Sequence, residues 1–577
     1  MISLRLYCIL LFSIALVAGE IKNKVWWKNI VFYQVYPRSF MDNDGDGVGD
    51  LKGITDKLEH FIDAGIGGIW LSPIYSSPMV DFGYDISNFL TIDPTFGTMD
   101  DLDKLLQKTK RLGIKVVMDF VPNHTSDQHE WFIKSVNGEE KYKDYYVWLE
   151  GRENNTKPPN NWISLFSGPA WKYNEKRNLW YLHQFEYRQP DLNFNNPDVH
   201  KEMNDILRFW LDKGIDGFRI DAIIHVYEKD GFPDEPVVYN KLTLTTDNYL
   251  NLNHIYTKND PRNYDLITEW RKTVDEWTDA HNEEEKVLMT EAYTNLTNLM
   301  KYYTYGADIS FNFNLITEVN ITSKPSEFKH VIDEWILNMP DGKVANWVMG
   351  NHDRSRIATR YPGRVDQMTI LSMILPGVAV TYYGEEIAME DNLSITWKQT
   401  KDPQACHVDP EHFKELTRDP NRTPFQWDDS IDAGFSTALE TWLPIPDNYK
   451  ELNLANQKGK PESHYVLYQT LTKLRSTSIA LQNGTLKTTV LNNDRVLIID
   501  RQSNNEAIVL LINFSDDVAE VVDLTDHLPG ATEAIVILAN IGSGITWRSM
   551  VLVSSIELPP KVSLVLFAKV DGSHSDS

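Results

Sequence analysis

Short apolar runs recur along the first 390 residues, and several are separated by stretches with helical periodicity. From Val199, apolar side chains recur at offsets of 4, 7, 8, 11 and 12 residues, which places one apolar stripe against a sheet. Thr98 with Asp101 is typical of a helix start, and Gly113 of a helix end. The runs that predict strands are 30–36, 68–71, 115–121, 216–221, 287–291, 307–311, 346–349 and 378–382. Eight alternating units favour an α/β fold of the (β/α)₈ barrel (TIM barrel) type over an open doubly wound sheet.

Two segments interrupt this alternation. After the third run, residues 124–189 are rich in Trp, Asn and Pro, and a structureless loop of that length is improbable, so we expect an inserted subdomain covering the barrel mouth. From about residue 487 the helical patterns stop, and runs at 495–500, 507–513, 534–539 and 562–568 predict a small antiparallel β-sandwich. The predicted catalytic barrel therefore spans 20–123 and 190–486, and the C-terminal sandwich spans 487–577.

Residues 1–19 have the features of a secretory signal peptide. Arg5 precedes an apolar run from Leu6 to Ala18 that is short for a membrane span, and no later stretch reaches spanning length. Beyond it, Cys406 is the only cysteine, so no internal disulfide can form. The candidate glycosylation sites are Asn154, Asn295, Asn320, Asn392, Asn421, Asn483 and Asn513. We expect a secreted protein.

Composition narrows the range of partners. The 577 residues are 42% apolar and 24% charged, which is ordinary for a folded protein. The formal net charge of −26 disfavours nucleic acids and anionic membrane surfaces as partners.

The predicted strands end in polar residues, and in a barrel these ends share one rim. Taken singly, each such residue is more simply explained as a helix cap or a hydrogen-bonded packing residue. Together they would crowd several carboxylates at the barrel mouth, which is costly unless charge is needed there. The residues are Asp119, Asn123, His124, Arg219, Asp221, Glu291, Asn351, His352 and Asp353.

Such a set suits glycoside cleavage. One carboxylate attacks the anomeric carbon, a second protonates the leaving oxygen, and anions favour the positive charge that develops on the sugar. Arg219, two residues before Asp221 on the same strand face, is placed to keep that carboxylate ionised. Glu291 is crowded by acids, which favours its protonated form.

The same segments, 119–124, 217–222, Glu291 and 351–353, resemble the four signature regions of the α-amylase superfamily, glycoside hydrolase family 13. Residues 189–193 resemble the additional region of its oligo-1,6-glucosidase and α-glucosidase branch, and 33–40, 82–86 and 422–428 match as well. Within that branch the chain is most similar to secreted insect maltases of the bee or mosquito type. This resemblance implies an extracellular enzyme of digestive or glandular fluid.

The resemblance also implies roles for individual residues. Asp221 would be the nucleophile, Glu291 the general acid and base, and Asp353 the third carboxylate, which grips sugar hydroxyls. His124, Arg219 and His352 would surround the sugar whose bond is cleaved, in subsite −1.

Two further residues would close the pocket behind one glucose. The resemblance implies that Asp85 holds the non-reducing-end hydroxyls and pairs with Arg422, although Arg418, one helical turn away, could take the place of Arg422. The expected activity is that of a retaining exo-α-glucosidase that removes terminal α-1,4-linked glucose from maltose, sucrose and short malto-oligosaccharides, with transglucosylation left open. Ala222 resembles the α-1,4-preferring members, while simple packing is the alternative explanation for this alanine.

The loop after the first strand alternates acids with glycines and predicts a metal site. Hard carboxylate oxygens at alternating positions suit Ca²⁺, with Mg²⁺ as the competitor and a solvated acidic turn as the alternative. The resemblance implies one structural Ca²⁺ remote from the chemistry. Its ligands would be Asp42, Asp44, Asp46, the Val48 carbonyl and Asp50.

A catalytically idle binding protein is the alternative from another class, since related barrels serve as amino-acid-transporter heavy chains and some insect maltases are bound by toxins. The transporter subunits need an N-terminal membrane span and typically lose the catalytic acids, and this chain shows neither feature. A receptor role for surface partners or toxins could coexist with catalysis.

Overall fold

The computed structural model describes residues 25–238, 248–406, 410–503 and 505–570, and the predicted signal peptide lies outside these ranges. Eight parallel strands form the central sheet at the positions that the sequence predicts. Their bounds are β1 Val31–Val35, β2 Gly68–Leu71, β3 Lys115–Phe120, β4 Gly217–Ile220, β5 Val287–Thr290, β6 Ile309–Ser310, β7 Asn346–Val348 and β8 Val378–Tyr382.

The eight strands form a nearly closed barrel. Backbone pairing runs in the order β6-β5-β4-β3-β2-β1-β8-β7, which leaves the seam between β6 and β7. The side chain of Asn346 bridges this seam, because its Nδ2 donates to the Ser310 carbonyl (2.7 Å) and its Oδ1 accepts from the Asn312 N–H (2.8 Å). A side-chain amide thus replaces the missing backbone pairs.

Helices with apolar inner faces surround the barrel. Met99–Leu112 begins at a capping box in which Thr98 and Asp101 bond each other's backbone, and it ends at Gly113 with φ 73°, as predicted. The longer helices are Leu51–Asp56, Leu58–Asp63, Met99–Leu112, Pro197–Lys213, Arg262–His281, Leu296–Tyr305, Pro325–Asn338, Val365–Ile374 and His464–Thr477. Among the described residues, none of the helices combines the length and apolarity needed to cross a bilayer.

The segment after β3 forms a subdomain, as predicted. It contains the helix Glu130–Val136 and a three-stranded antiparallel sheet of Trp148–Leu149, Trp171–Asn174 and Leu179–Leu182. Trp162 Nε1 donates to the Pro233 carbonyl (2.8 Å), which attaches the subdomain to the long loop after β4. The subdomain and this loop therefore lie on the same side of the barrel, at the ends of the strands that carry the polar residues.

The C-terminal region is antiparallel, as expected, and begins at Thr485. Its main sheet has six strands, and the pair Glu520–Val522 and Ile556–Leu558 packs on one face. The opposite face joins the core of the barrel, so the central strands are buried on both sides and show continuous apolar runs. The six strands are Thr485–Leu491, Val496–Gln502, Glu506–Asn513, Glu533–Ala539, Met550–Leu552 and Ser563–Lys569.

Three of the predicted glycosylation sites are wrong. Asn392, Asn421 and Asn513 are buried, and the Nδ2 atom that would carry a glycan donates instead to backbone carbonyls. A sequence tripeptide cannot reveal burial, which explains the error. The asparagines of the other candidate sites, Asn154, Asn295, Asn320 and Asn483, are exposed.

Candidate active site

A cavity of about 330 Å³ lies at the carboxyl ends of the barrel strands. That size falls in the usual range for small-molecule sites. Its walls combine the polar strand ends with side chains of the subdomain and of the loop after β4. The polar lining residues include Asp81, Tyr84, His124, Asp221, His225, Lys258, Glu291, Tyr293, His352, Asp353, Arg354, Gln404 and Arg418.

Arg219 links the carboxylates that follow β3, β4 and β5. Its Nη1 donates to Asp119 Oδ1 (2.8 Å) and to Asp221 Oδ1, and its Nη2 lies 3.8 Å from Glu291 Oε2. The sheet register explains the arrangement, because Asp119 and Arg219 are paired residues on neighbouring strands. The Ala222 N–H donates to Glu291 Oε2 (2.8 Å), so Glu291 contacts the residue that directly follows Asp221.

Burial raises the pKa of both Asp221 and Glu291, and the guanidinium of Arg219 opposes the rise at each carboxyl. For Glu291 the Ala222 N–H also opposes the rise, while the negative charges of Asp353 and Asp119 add to it. The sequence predicted crowding by acids as the main cause, but removal from water is the larger one. A raised pKa suits Glu291, which must hold a proton for donation. At Asp221 the rise runs against the prediction that Arg219 keeps this carboxylate ionised, because the effect of burial exceeds that of the guanidinium.

Asp353 lies in the opposite electrostatic environment. Its Oδ1 accepts from Arg418 Nη1 (3.2 Å) and Arg422 Nη2 (3.0 Å), and its Oδ2 is 3.3 Å from His352 Nε2. Burial favours the neutral acid, yet these neighbours together hold the pKa of Asp353 well below its usual range. The pKa of Glu291 is thus raised while that of Asp353 is lowered. This pattern is typical of a proton donor that lies beside a carboxylate kept ionised.

Two of the three histidines that line the cavity, His124 and His352, are neutral, since burial lowers the pKa of each to about 3. Gln34 Nε2 donates to His352 Nδ1 (2.8 Å), which leaves the proton on Nε2, facing Asp353. Asn123 Nδ2 contacts His124 Nδ1 (3.2 Å) in the same way, and Nε2 of His124 has no hydrogen-bond partner among the described residues. His124 therefore offers an unpartnered N–H at the cavity, whereas the N–H of His352 already donates to the Tyr84 hydroxyl (2.9 Å).

The predicted pairing of Asp85 with Arg422 is wrong. The Asp85 carboxylate is buried and accepts from the Ser77 hydroxyl (3.0 Å) and the N–H groups of Val80 (2.8 Å) and Asp81 (2.9 Å), which closes its own loop. Asp85 does not line the cavity, and its three bonds hold the carboxylate against its own loop.

Asp81 and Arg418 form the ion pair that was expected of Asp85 and Arg422. Arg418 Nη2 donates to Asp81 Oδ1 (2.9 Å), and both residues line the cavity. Arg422 instead donates from Nε to the His352 carbonyl (2.6 Å) and supports Asp353 from outside the lining. Asp81 lies four residues before Asp85 in one motif, and a loop has no periodicity that would tell which acid faces the cavity.

Several residues that line the cavity or support its walls were not predicted from the sequence. Tyr84 donates to Asp119 Oδ2 (3.0 Å), Tyr293 and Lys258 line the cavity, and Asp402 receives two bonds from the guanidinium of Arg418 (2.7 and 2.9 Å). Tyr84 lies inside the motif 82–86 that carries part of the family resemblance, so the sequence could have indicated it. The others lie in irregular segments.

Three of the predicted metal ligands lie together in the loop after β1. Carboxylate oxygens of Asp42, Asp44 and Asp50 lie within 4.8 Å of one another. Partial removal of the exposed Asp44 carboxyl from water raises its pKa, and the charges of Asp50 and Asp42 add to the rise. Asp46 lies outside this set, and its Oδ1 accepts from the Val48 N–H (2.8 Å). The all-oxygen donor set fits a hard cation such as Ca²⁺.

A barrel that places Glu291, Asp221 and the ionised Asp353 around one cavity is typical of the class of glycoside hydrolases. Residues 34–484 match the family described as Alpha amylase, catalytic domain. Maltase 1 of Drosophila virilis is 49% identical over 521 residues, which cover 88% of this chain and 82% of that protein. The salivary alpha-glucosidase of Anopheles gambiae is 46% identical over 520 residues, covering 88% and 87% of the two chains.

Among solved structures, the trehalulose synthase MutB from Pseudomonas mesoacidophila superposes with a TM-score of 0.83 at 31% identity, covering 94% of this chain and 100% of that chain. The chain belongs to the α-amylase family, glycoside hydrolase family 13. It is an enzyme, a glycoside hydrolase with α-glucosidase activity.

Proposed function

We propose that the protein is a retaining exo-α-glucosidase that releases α-glucose from the non-reducing ends of maltose, sucrose and short malto-oligosaccharides. The observation that carries the proposal is the Arg418–Asp81 ion pair beside Asp353, which supports a pocket closed behind a single sugar. An enzyme that cleaves inside long chains would need a groove open on both sides of the cleaved bond.

In the proposed reaction Asp221 attacks the anomeric carbon while Glu291 protonates the leaving oxygen, which gives a β-glucosyl enzyme. Water that has lost a proton to Glu291 then releases α-glucose. Retaining pairs stand ~5–5.5 Å apart. The contact of Glu291 with the Ala222 N–H, next to Asp221, supports such closeness.

The neighbouring groups support the sugar-binding roles proposed for them. Asp353, kept ionised, accepts bonds from sugar hydroxyls and stabilises positive charge on the ring, the unpartnered N–H of His124 donates to a hydroxyl oxygen, and His352 lies beside the sugar. Asp81 and Arg418 recognise the hydroxyls at the closed end. Transfer of glucose to a sugar acceptor instead of water is compatible with the same intermediate.

The test is hydrolysis of maltose, sucrose, isomaltose and starch, with the product anomer followed by NMR in the first minutes. Initial release of α-glucose, with maltose preferred and internal starch bonds uncut, would support the proposal. Initial β-glucose or a rapid fall in starch chain length would overturn it.

We also propose that Asp42, Asp44, Asp46, the Val48 carbonyl and Asp50 hold one structural Ca²⁺. The clustering of three carboxylates supports it. When bound, the ion would neutralise crowded charge and fix the loop that follows β1.

Secretion is proposed as well. It is supported by relatives described as salivary enzymes and by four exposed asparagines in candidate glycosylation sites. Expression of the full-length chain in insect cells should place the enzyme in the medium, with a mass that falls after enzymatic removal of N-glycans.

A further inference from the structure

Lys258 lines the cavity together with Ile224 and His225, which follow Asp221 by three and four residues. It does not belong to the closed end, where the charges of Asp81, Arg418 and Asp353 compensate one another. Lys258 belongs to the loop after β4, and the negative charge that acts on its ammonium is that of Glu235.

The backbone that carries Lys258 is fixed on both sides. Glu235 is buried, and its carboxylate accepts from the N–H groups of Ile255 (3.0 Å), Tyr256 (2.8 Å) and Thr257 (3.0 Å). On the other side, the Asn259 N–H donates to the Ile224 carbonyl (2.8 Å). These bonds fix the backbone from which the Lys258 side chain extends.

The ammonium itself is held loosely. Its Nζ lies 4.8 Å from the ring centre of Tyr249, and among the residues that the structure describes it forms no hydrogen bond or ion pair with a side chain or carbonyl. Burial lowers the pKa of Lys258, so its charge lacks full compensation from the protein. An ammonium has three donors, and a half-buried one without an acceptor favours any ligand that supplies oxygen atoms.

The surrounding wall indicates which ligand that would be. Leu165, Phe166 and Phe185 give the cavity an apolar side, and Gln404 and Arg354 add polar groups. A sugar ring combines apolar faces with hydroxyls at its edge, which matches such a wall.

We propose that Lys258 is a specificity-determining residue of the leaving-group subsite, where its ammonium donates hydrogen bonds to hydroxyls of the sugar that is released. This inference rests on the proposed function. Lys258 takes no part in bond cleavage, so it should distinguish leaving groups that carry hydroxyls from those that do not.

The experiment compares Lys258→Met with the wild type on maltose and on p-nitrophenyl α-glucoside, whose leaving group carries no sugar hydroxyls to accept hydrogen bonds from a lysine. We expect kcat/KM for maltose to fall about tenfold or more, the effect of losing a hydrogen bond to a charged group, while the aryl glucoside changes less than about twofold. Lys258→Arg, which keeps a cation, should recover most of the maltose activity.

Lys229→Met is the matched control, because Lys229 lies in the same loop, is exposed and does not line the cavity. It should leave both substrates unaffected. Equal losses on both substrates in Lys258→Met, or no loss on maltose, would overturn the inference. A wild-type chain that cleaves neither substrate would overturn the proposed function itself, and the inference with it.

Discussion

The backbone N–H of Ala222 donates a hydrogen bond of 2.8 Å to Oε2 of Glu291. Ala222 has φ 47° and ψ 31°, in the left-handed region, which directs this N–H across the cavity rather than along the strand. The proposed acid Glu291 is thereby hydrogen-bonded to the peptide unit that joins the proposed nucleophile Asp221 to Ala222. Their separate roles can be tested by chemistry that treats the two faces of the sugar differently.

The first prediction assigns the two carboxylates through azide rescue. In Asp221→Gly, azide can enter where the carboxylate stood and attack an activated α-glucosyl fluoride, so the product should be β-glucosyl azide. In Glu291→Ala, an aryl glucoside with a good leaving group still forms the β-glucosyl enzyme, and azide then gives α-glucosyl azide. Both variants should lose at least ~10³-fold in maltose hydrolysis, as expected for loss of a nucleophile or of the acid and base.

NMR of the azide products is the measurement. Glu318→Ala, an exposed acid outside the cavity lining, is the control and should keep wild-type activity. Exchange of the two product anomers between the variants would reverse the assignment, and substantial maltose hydrolysis by Asp221→Gly would refute it.

The second prediction concerns the side chain of Ala222. A β-branched residue is poorly tolerated at positive φ, so Ala222→Val should cost about 1–3 kcal/mol of backbone strain, which in a chain of this length lowers Tm by about 1–3 °C. The added methyl groups would also enter the cavity wall, and we expect the preference for maltose over isomaltose to decrease by ~10-fold or more, within the range available to methyl-sized changes. Thermal unfolding and the two kcat/KM values measure these effects.

Ala222→Gly separates backbone from side chain, since it keeps the N–H and relieves the strain. Its maltose preference should stay close to that of the wild type. An unchanged substrate ratio in Ala222→Val would leave packing as the explanation for this alanine.

The barrel was predictable because its signals are local and repeated. Each strand is a short apolar run, and Thr98 and Gly113 mark helix ends through contacts within a few residues. The closure at the seam was not predictable, because Asn346 acts through bonds to residues 36 and 34 positions away, which leave no periodic trace.

The residues of the site divide in the same way into those that local sequence predicts and those that depend on long-range contacts. Asp221 and Glu291 directly follow β4 and β5, and Asp353 lies five residues beyond the end of β7, so the barrel itself brings the three to one rim. Asp81 and Arg418 lie in irregular segments 337 positions apart, and only folding decides that Asp81, and not Asp85, faces the cavity. The resemblance identified the right motifs but not the right acid within one of them.

The third prediction follows from the support behind Arg418. Asp402 is buried and holds the guanidinium by two bonds of 2.7 and 2.9 Å, yet it does not line the cavity. It is a positioning residue, and Asp402→Asn should loosen Arg418 at the closed end. We expect kcat/KM for maltose to fall ~10–100-fold through loss of transition-state contacts with the terminal sugar.

Steady-state kinetics on maltose and on p-nitrophenyl α-glucoside should show similar losses here, because both substrates place a glucose at the closed end. Asp429→Asn, an exposed acid in the following segment, is the control. Wild-type kinetics in Asp402→Asn would mean that Asp81 and Asp353 hold Arg418 in place without Asp402.

The fourth prediction concerns pH. Catalysis needs Glu291 protonated, so kcat/KM should fall as pH rises through its pKa, which burial places above the ordinary glutamate value of ~4.3. Asp119 adds to that rise, and Asp119→Asn should therefore move the alkaline limb of the profile to lower pH. Asp216→Asn is the control, since Asp216 precedes β4 at the other end of the barrel, where it bonds Lys115. A limb that stays in place or moves upward in Asp119→Asn would contradict the electrostatic coupling.

The last prediction tests the proposed metal site in the loop after β1. Because Asp44 is exposed while Asp42 and Asp50 are buried and bonded to backbone N–H groups, Asp44→Asn changes the charge of the cluster with the least damage to the loop. Addition of Ca²⁺ to chelator-treated wild type at 100 times its Kd should stabilise the fold by ~2.7 kcal/mol and raise Tm accordingly. The shift should be much smaller in Asp44→Asn, and Asp56→Asn, which lies outside the cluster, should respond like the wild type. Because protonation of Asp44 competes with the cation, the stabilisation by Ca²⁺ should weaken as pH falls through the raised pKa of Asp44.

The outcome that contradicts the site is a wild-type Tm that is the same with chelator and with excess Ca²⁺, which would show that the acidic loop folds without the ion.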